Sequence, residues 1–200
     1  MYECGLTALD LIEAIEEEAD VSVPIPRSVY IRAINTAEQF IYTEILRESI
    51  LVVLPYTDDE IPLASINVPS GCAPVHYDDI LRVFADTHEC EKSGASGALD
   101  FADKQFYYTD YNGHLILRLQ EYPAEIRMII RIRPRLKDES GADMLAVPAE
   151  YVDLLASKMR GEAYKIANED ALAAKWLNEY NYHLENFKVW ADKRNRRYGG

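Results

Sequence analysis

Cys72, His76, His88 and Cys90 are the residues of this chain best suited to hold a metal, since thiolate and neutral imidazole together favour Zn²⁺. Their spacing argues against it, because structural zinc sites draw on two tight pairs of the C-x₂₋₄-C or H-x₃₋₅-H kind. The acids Asp58, Asp59 and Glu60, and again Asp78 and Asp79, could serve acid-base or Mg²⁺ chemistry. Adjacent acids in loops that carry proline are more often solvated turn residues. The chain has no G-x-x-x-x-G-K-[ST] loop, H-E-x-x-H helix, G-x-S-x-G elbow or glycine-rich dinucleotide turn. "SGASG" lacks the lysine and the following helix of a phosphate loop. We therefore expect no enzyme activity, no catalytic residues, no cofactor and no bound metal.

Two cationic features suggest recognition instead. Arg127, Arg131, Arg133 and Arg135 lie close together in "EIRMIIRIRPR", in a chain of net charge −13. Solvation or cross-strand carboxylates such as Asp103 or Asp110 could satisfy them. Alternatively, Arg127, Arg131 and Arg133 form a basic face that meets the acidic patch of a neighbouring subunit. The second feature is the C-terminal "ENFKVWADKRNRRYGG". A helix dipole welcomes a cation or two at its C-terminus, but Lys193, Arg194, Arg196 and Arg197 exceed that need. Phe187 and Trp190 precede them, and aromatic residues with arginine make up interface hot spots. These six are the candidate partner-binding residues.

Composition limits the partners. A pI near 4.7 opposes a DNA-wrapping surface, since phosphate affinity needs many Lys and Arg. No stretch approaches the roughly 20 apolar residues of a membrane helix, and the N-terminus lacks a signal's basic start and apolar centre. Three cysteines cannot build a disulfide framework, so free thiols in a cytosol are expected. The 14 tyrosines hint at subunit interfaces.

The elements that position these groups are legible in outline. Thr7 with Asp10 predicts a capped first helix, whose acidic end (Glu16, Glu17, Glu18, Asp20) faces solvent or a basic partner. After "VSVPIPR", Ser28 is expected to cap a second helix of roughly twenty residues with a wide apolar face. From Ser49 to Arg135 the period shortens to alternation, which predicts short strands. Asn112-Gly113 predicts a two-residue type I′ hairpin turn. "EIRMIIRIRPR" places Ile126, Met128, Ile130 and Ile132 on one face and Arg127, Ile129, Arg131 and Arg133 on the other. "HECEKSGASGALD" and "KDESGADMLAVP" read as loops. A third helix follows Pro148. A fourth, long one is capped by Asn168 or Asp170 and carries Ala173, Leu177, Tyr180, Leu184, Phe187 and Ala191 along one seam.

The expected fold is α+β, mainly α: a helical bundle of four main helices with a β-rich insertion between helices 2 and 3. Its divisions are residues 1–48, 49–140 and 141–200.

The order of these elements, with "RSVYIRAINTAEQFIYTEI", "P-x-x-Y-x-x-L-L" and the final "A-x-x-W-x-x-x-Y-x-x-x-L-x-x-F", resembles the head-to-tail connector (adaptor) proteins of tailed bacteriophages over nearly the full chain. The resemblance implies a virion structural protein, assembled in the host cytoplasm into a homo-oligomeric ring, commonly a dodecamer, below the portal protein. The ring would link portal to tail or nozzle protein and enclose a channel through which DNA passes without specific binding. Phe187, Trp190, Lys193, Arg194, Arg196 and Arg197 would then face the portal. The large β-insert is closer to the adaptors of short-tailed phages. Two other readings stay open: a bacterial cytosolic interaction or regulatory module, and a metal-dependent enzyme using the acidic loops with His76 or His88.

Overall fold

The computed structural model describes residues 4–18, 23–93, 105–110 and 112–198. Asp20, Asp103, Gly199 and Gly200 lie outside them, as do the side chains of Arg196 and Arg197; of "HECEKSGASGALD", expected as a loop, residues 94–100 lie outside too, while its start, His88–Lys92, is a strand. The chain divides into two compact units, residues 1–46 with 134–200, and residues 47–133.

The first unit is helical. Helix α1 spans Ala8–Glu18. The expected capping box forms at its start: Thr7 N–H donates to Asp10 Oδ2 at 2.8 Å and Asp10 N–H to Thr7 Oγ1 at 3.1 Å. The next free N–H groups of the first turn are answered by the returning chain, Ala8 N–H by the Asp143 carbonyl and Leu9 N–H by that of Gly141. At the acidic end of α1, Glu18 pairs with Arg160. Helix α2 spans Arg27–Phe40 and continues as a π-helical turn, Ile41–Leu46. Ser28 was expected as the cap of α2, but Pro26 holds that position and no side chain caps the helix; Pro supplies the fixed φ that starts a helix without an N–H to satisfy. Near the switch to π geometry, Thr43 Oγ1 donates back to the Gln39 carbonyl at 2.8 Å.

A 3₁₀ turn, Ala149–Tyr151, leads into α3, Val152–Ile166, and then α4, Asp170–Tyr198. Asn168 does not cap α4. At φ 60° it closes α3 in a Schellman arrangement, in which Asn168 N–H meets the Lys165 carbonyl and Glu169 N–H that of Tyr164. Ile12, Ile34, Ile41, Leu154, Leu155, Met159 and Phe187 form the fully sealed centre of this unit. Each such aliphatic side chain contributes about 1.5–3 kcal/mol by leaving water.

The second unit corrects the expected fold. The segments do not form a minor insertion on a mainly α bundle; they build a curled, strand-rich half-barrel with its own core. Its strands are β1 Ser49–Pro55, β2 Glu60–Pro62, β3 Ile80–Ala85, β4 His88–Lys92, β5 Phe106–Thr109, β6 His114–Arg118 and β7 Glu125–Arg131, in the order β1-β7-β3-β4-β5-β6-β2. All pairs are antiparallel except β4 with β5. The reason lies in the alternation itself. Every strand offers one apolar face, and those faces (Val83, Ala85, Tyr107, Leu115, Leu117, Ile126, Met128, Ile130) are buried together only when the strands join one sheet.

The Ile126/Met128/Ile130 face of β7 is buried as expected. The Asn112-Gly113 hairpin forms, but its loop is one residue longer than a type I′ turn allows. Thr109 pairs with Leu115, Asp110 N–H donates to the His114 carbonyl, and Gly113 sits at φ 79°. Asp110 Oδ1 stabilises this longer loop by accepting the N–H groups of Asn112 and His114 at 2.9 and 2.8 Å.

Candidate interaction surfaces

Helix α4 is held along α3 by the expected seam. Ala173, Leu184, Phe187 and Ala191 are buried, and Leu177 lies over Gly161 of α3. The approach there is close: a Cβ on Gly161 would stand 2.7 Å from Leu177 Cδ2, so any larger residue must displace the Leu177 side chain. Phe187, Trp190 and Tyr151 make a three-ring cluster with centroids 4.9, 5.2 and 5.4 Å apart. Phe187 is therefore a core residue of its own unit and offers no free surface, whereas Trp190 is half-buried. Arg194 places its guanidinium 5.9 Å from the Trp190 ring centroid, and Lys193 is exposed. The side chains of Arg196 and Arg197 lie outside the described residues, although the helix itself runs on to Tyr198.

The opposite flank of α4 was not singled out from sequence. Tyr182 is 65% exposed and Val189 53% exposed, seven residues apart on one face. Lys175, seven before Tyr182, is exposed on the same line. A heptad count outward from the aromatic seam would have found them.

In the sheet unit, two of the three arginines proposed for a subunit interface already hold carboxylates. Arg127 pairs with Glu125, and Arg133 Nη2 lies 2.6 Å from the buried Asp79 Oδ2. Arg131 has its Nε buried without a hydrogen-bond partner among the described residues. Across the sheet, Arg131 stands opposite Ser49, Ile129 opposite Leu51 and Arg127 opposite Val53. Leu51 and Val53 are 62% and 48% exposed. The outer side of β1 and β7 is thus apolar with arginines among it.

The acids and histidines of the loops perform turn chemistry. His76 Nδ1 accepts the Asp78 N–H and the Asp79 carboxylate accepts the His76 N–H at 2.9 Å, a capping box around Tyr77–Asp79. Tyr56 donates to Asp59 at 2.8 Å, and that bond pushes the phenol up to about 12. Asp58 Oδ1 accepts the Glu60 N–H. Cys72 and Cys90 are buried free thiols, pushed up by desolvation. Among the described residues no three His, Cys, Asp or Glu side chains come together to hold a metal ion, and no helix is long and apolar enough to cross a membrane.

No curated protein matches the chain. A family model described as "SU10 adaptor protein" matches residues 6–199.

Proposed function

Because the chain belongs to the SU10 adaptor protein family, a phage head-to-tail adaptor family, we propose that it closes into a homo-oligomeric ring, a dodecamer, below the portal, joins portal to tail or nozzle, and encloses the DNA channel. Family membership makes it a phage structural protein and a virion component. The acidic composition suits the channel, since a negative wall does not grip passing phosphates.

The observation that carries the portal reading is the end of α4. The helix buries Phe187 and Ala191 in its own unit and then continues through exposed Lys193 to Tyr198. It is thus anchored by its aromatic seam and presents a basic tip. In this reading Trp190, Lys193, Arg194, Arg196 and Arg197 meet the portal, while Phe187 fixes the helix that carries them.

Deletion from Lys193 onward tests this. Folding should survive, because no residue of the described core lies beyond Ala191, and co-purification with portal protein should be lost. Retained docking of the truncated chain overturns the assignment.

A further inference from the structure

The two edges of the seven-stranded sheet are built differently. At one edge, β2 is three residues long, Pro62 has no N–H, and the Glu60 N–H is occupied by Asp58. That is a blunted edge. At the other edge, β1 reads "SILVVLP", seven residues with no charge and no proline before its last position. Ile132 N–H donates to the Glu48 carbonyl and Tyr56 N–H to that of Ala124. In an antiparallel pair this parity commits the backbone groups of Ile50, Val52 and Leu54 to β7 and turns those of Ser49, Leu51 and Val53 outward. Leu51 and Val53 expose their side chains as well. An edge of this length and apolarity, left bare, is a template for another strand.

Its chemistry selects the occupant. Arg131 lies half-buried beside Ser49, and no described carboxylate is paired with it, so the fitting strand brings one to that end of the edge. An added strand would run two strand spacings, about 10 Å, from β7, a gap that an arginine and a glutamate side chain together span. A second copy of this chain fits poorly: its β1 has no acidic residue within Ser49–Pro55, the Glu48 that precedes it is already engaged, and its β2 is blunted. We propose that β1 is the acceptor for β-strand addition by a different protein, through an extended apolar segment with a carboxylate at the Ser49 end. The adaptor reading is needed only to say that another virion chain supplies this strand; the acceptor edge stands on its geometry.

The test uses the full chain and a fluorescein-labelled eight-residue peptide of alternating Val and Thr with Glu at both ends, followed by anisotropy. Binding should occur, and weaken at least about tenfold with Lys in place of Glu or with Arg131→Gln. N-methylation at alternate peptide positions should abolish it. Leu51→Pro should also abolish it without lowering the melting temperature, since the Leu51 N–H serves no ladder bond; Leu51→Lys with Val53→Lys is the second variant should the proline prevent folding. Binding indifferent to these changes overturns the proposal, as does a dimer of the chain that the β1 variants disperse. The chain truncated at Lys193 should bind the peptide as the full chain does, which separates this result from the fate of portal docking.

Discussion

Lys137 Nζ lies 2.7 Å from Glu38 Oε2, and both side chains are almost wholly sealed from water. The other oxygen of Glu38 accepts the Ala146 N–H at 2.6 Å, so one carboxylate ties α2 to two points of the returning chain. Asn35 adds a third tie, accepting the Lys137 N–H at 2.7 Å. Burial pushes the Glu38 carboxyl up while Lys137 pulls it down, with burial the larger influence.

Lys137→Met should destabilise the protein by about 3–5 kcal/mol, because it strands a buried charge. Glu38→Gln combined with Lys137→Met should recover much of that loss, since it removes the charge and keeps an acceptor for Ala146. A raised carboxyl binds its proton more readily in the folded state, so stability from Glu38 falls as pH rises above its ordinary 4.5. The Lys137→Met variant, lacking the opposing pull, should therefore gain stability on acidification toward that value more than the parent. Urea melts at several pH values read both effects.

Phe187→Ala should cost about 3–5 kcal/mol by opening a cavity under Tyr151 and Trp190. Thermal unfolding, with Trp emission as a second probe, distinguishes this core role from a surface one. A variant that melts like the parent but fails to bind a partner would contradict the burial of the ring.

Asp110 and His114 make the β5–β6 hairpin pH-dependent. The His114 ring nitrogen Nδ1 lies 3.0 Å from Asp110 Oδ2, which raises the imidazole above 6.5 and contributes to holding the carboxyl below 3.8. The raised His contributes stability that is complete below 6.5 and disappears as pH rises through its folded value. The lowered Asp contributes stability that is complete above 3.8 and disappears as pH falls through its own. Both contributions coexist only between those values. His114→Gln should lose the decline on the alkaline side of the melting-temperature profile; an unchanged profile counts against the pair.

Asp86, at φ 52° in the β3–β4 turn, accepts the N–H groups of Ala124 and Glu125 at 2.9 and 3.1 Å. Asp86→Ala should cost about 2 kcal/mol by leaving both donors unanswered and placing alanine in the left-handed region. Asp86→Asn keeps an acceptor and tolerates that φ, so its chemical-denaturation midpoint should stay much closer to the parent.

What sequence revealed followed from how local each signal is. The Thr7–Asp10 box and the buried face of β7 are written within a few residues, by hydrogen bonds or alternation that short segments settle for themselves. The seam of α4 is readable for the same reason, yet its period does not say which residues end beneath a neighbour, and Phe187 lies sealed beneath Tyr151. The sheet was underestimated because β1 and β3 both pair with β7 from far along the chain, and no local pattern records a strand's neighbours. The edge at Leu51, unpaired among the described residues, is illegible for that reason too.

Ser49 and Arg131 are cross-strand partners, so the sheet unit begins and ends at the same place. A segment whose two ends meet can be exchanged for a short turn, lengthened or replaced at little loop-closure cost to what remains. The half-barrel can therefore be altered or exchanged without redirecting the course of the chain in the helices on either side of it in sequence.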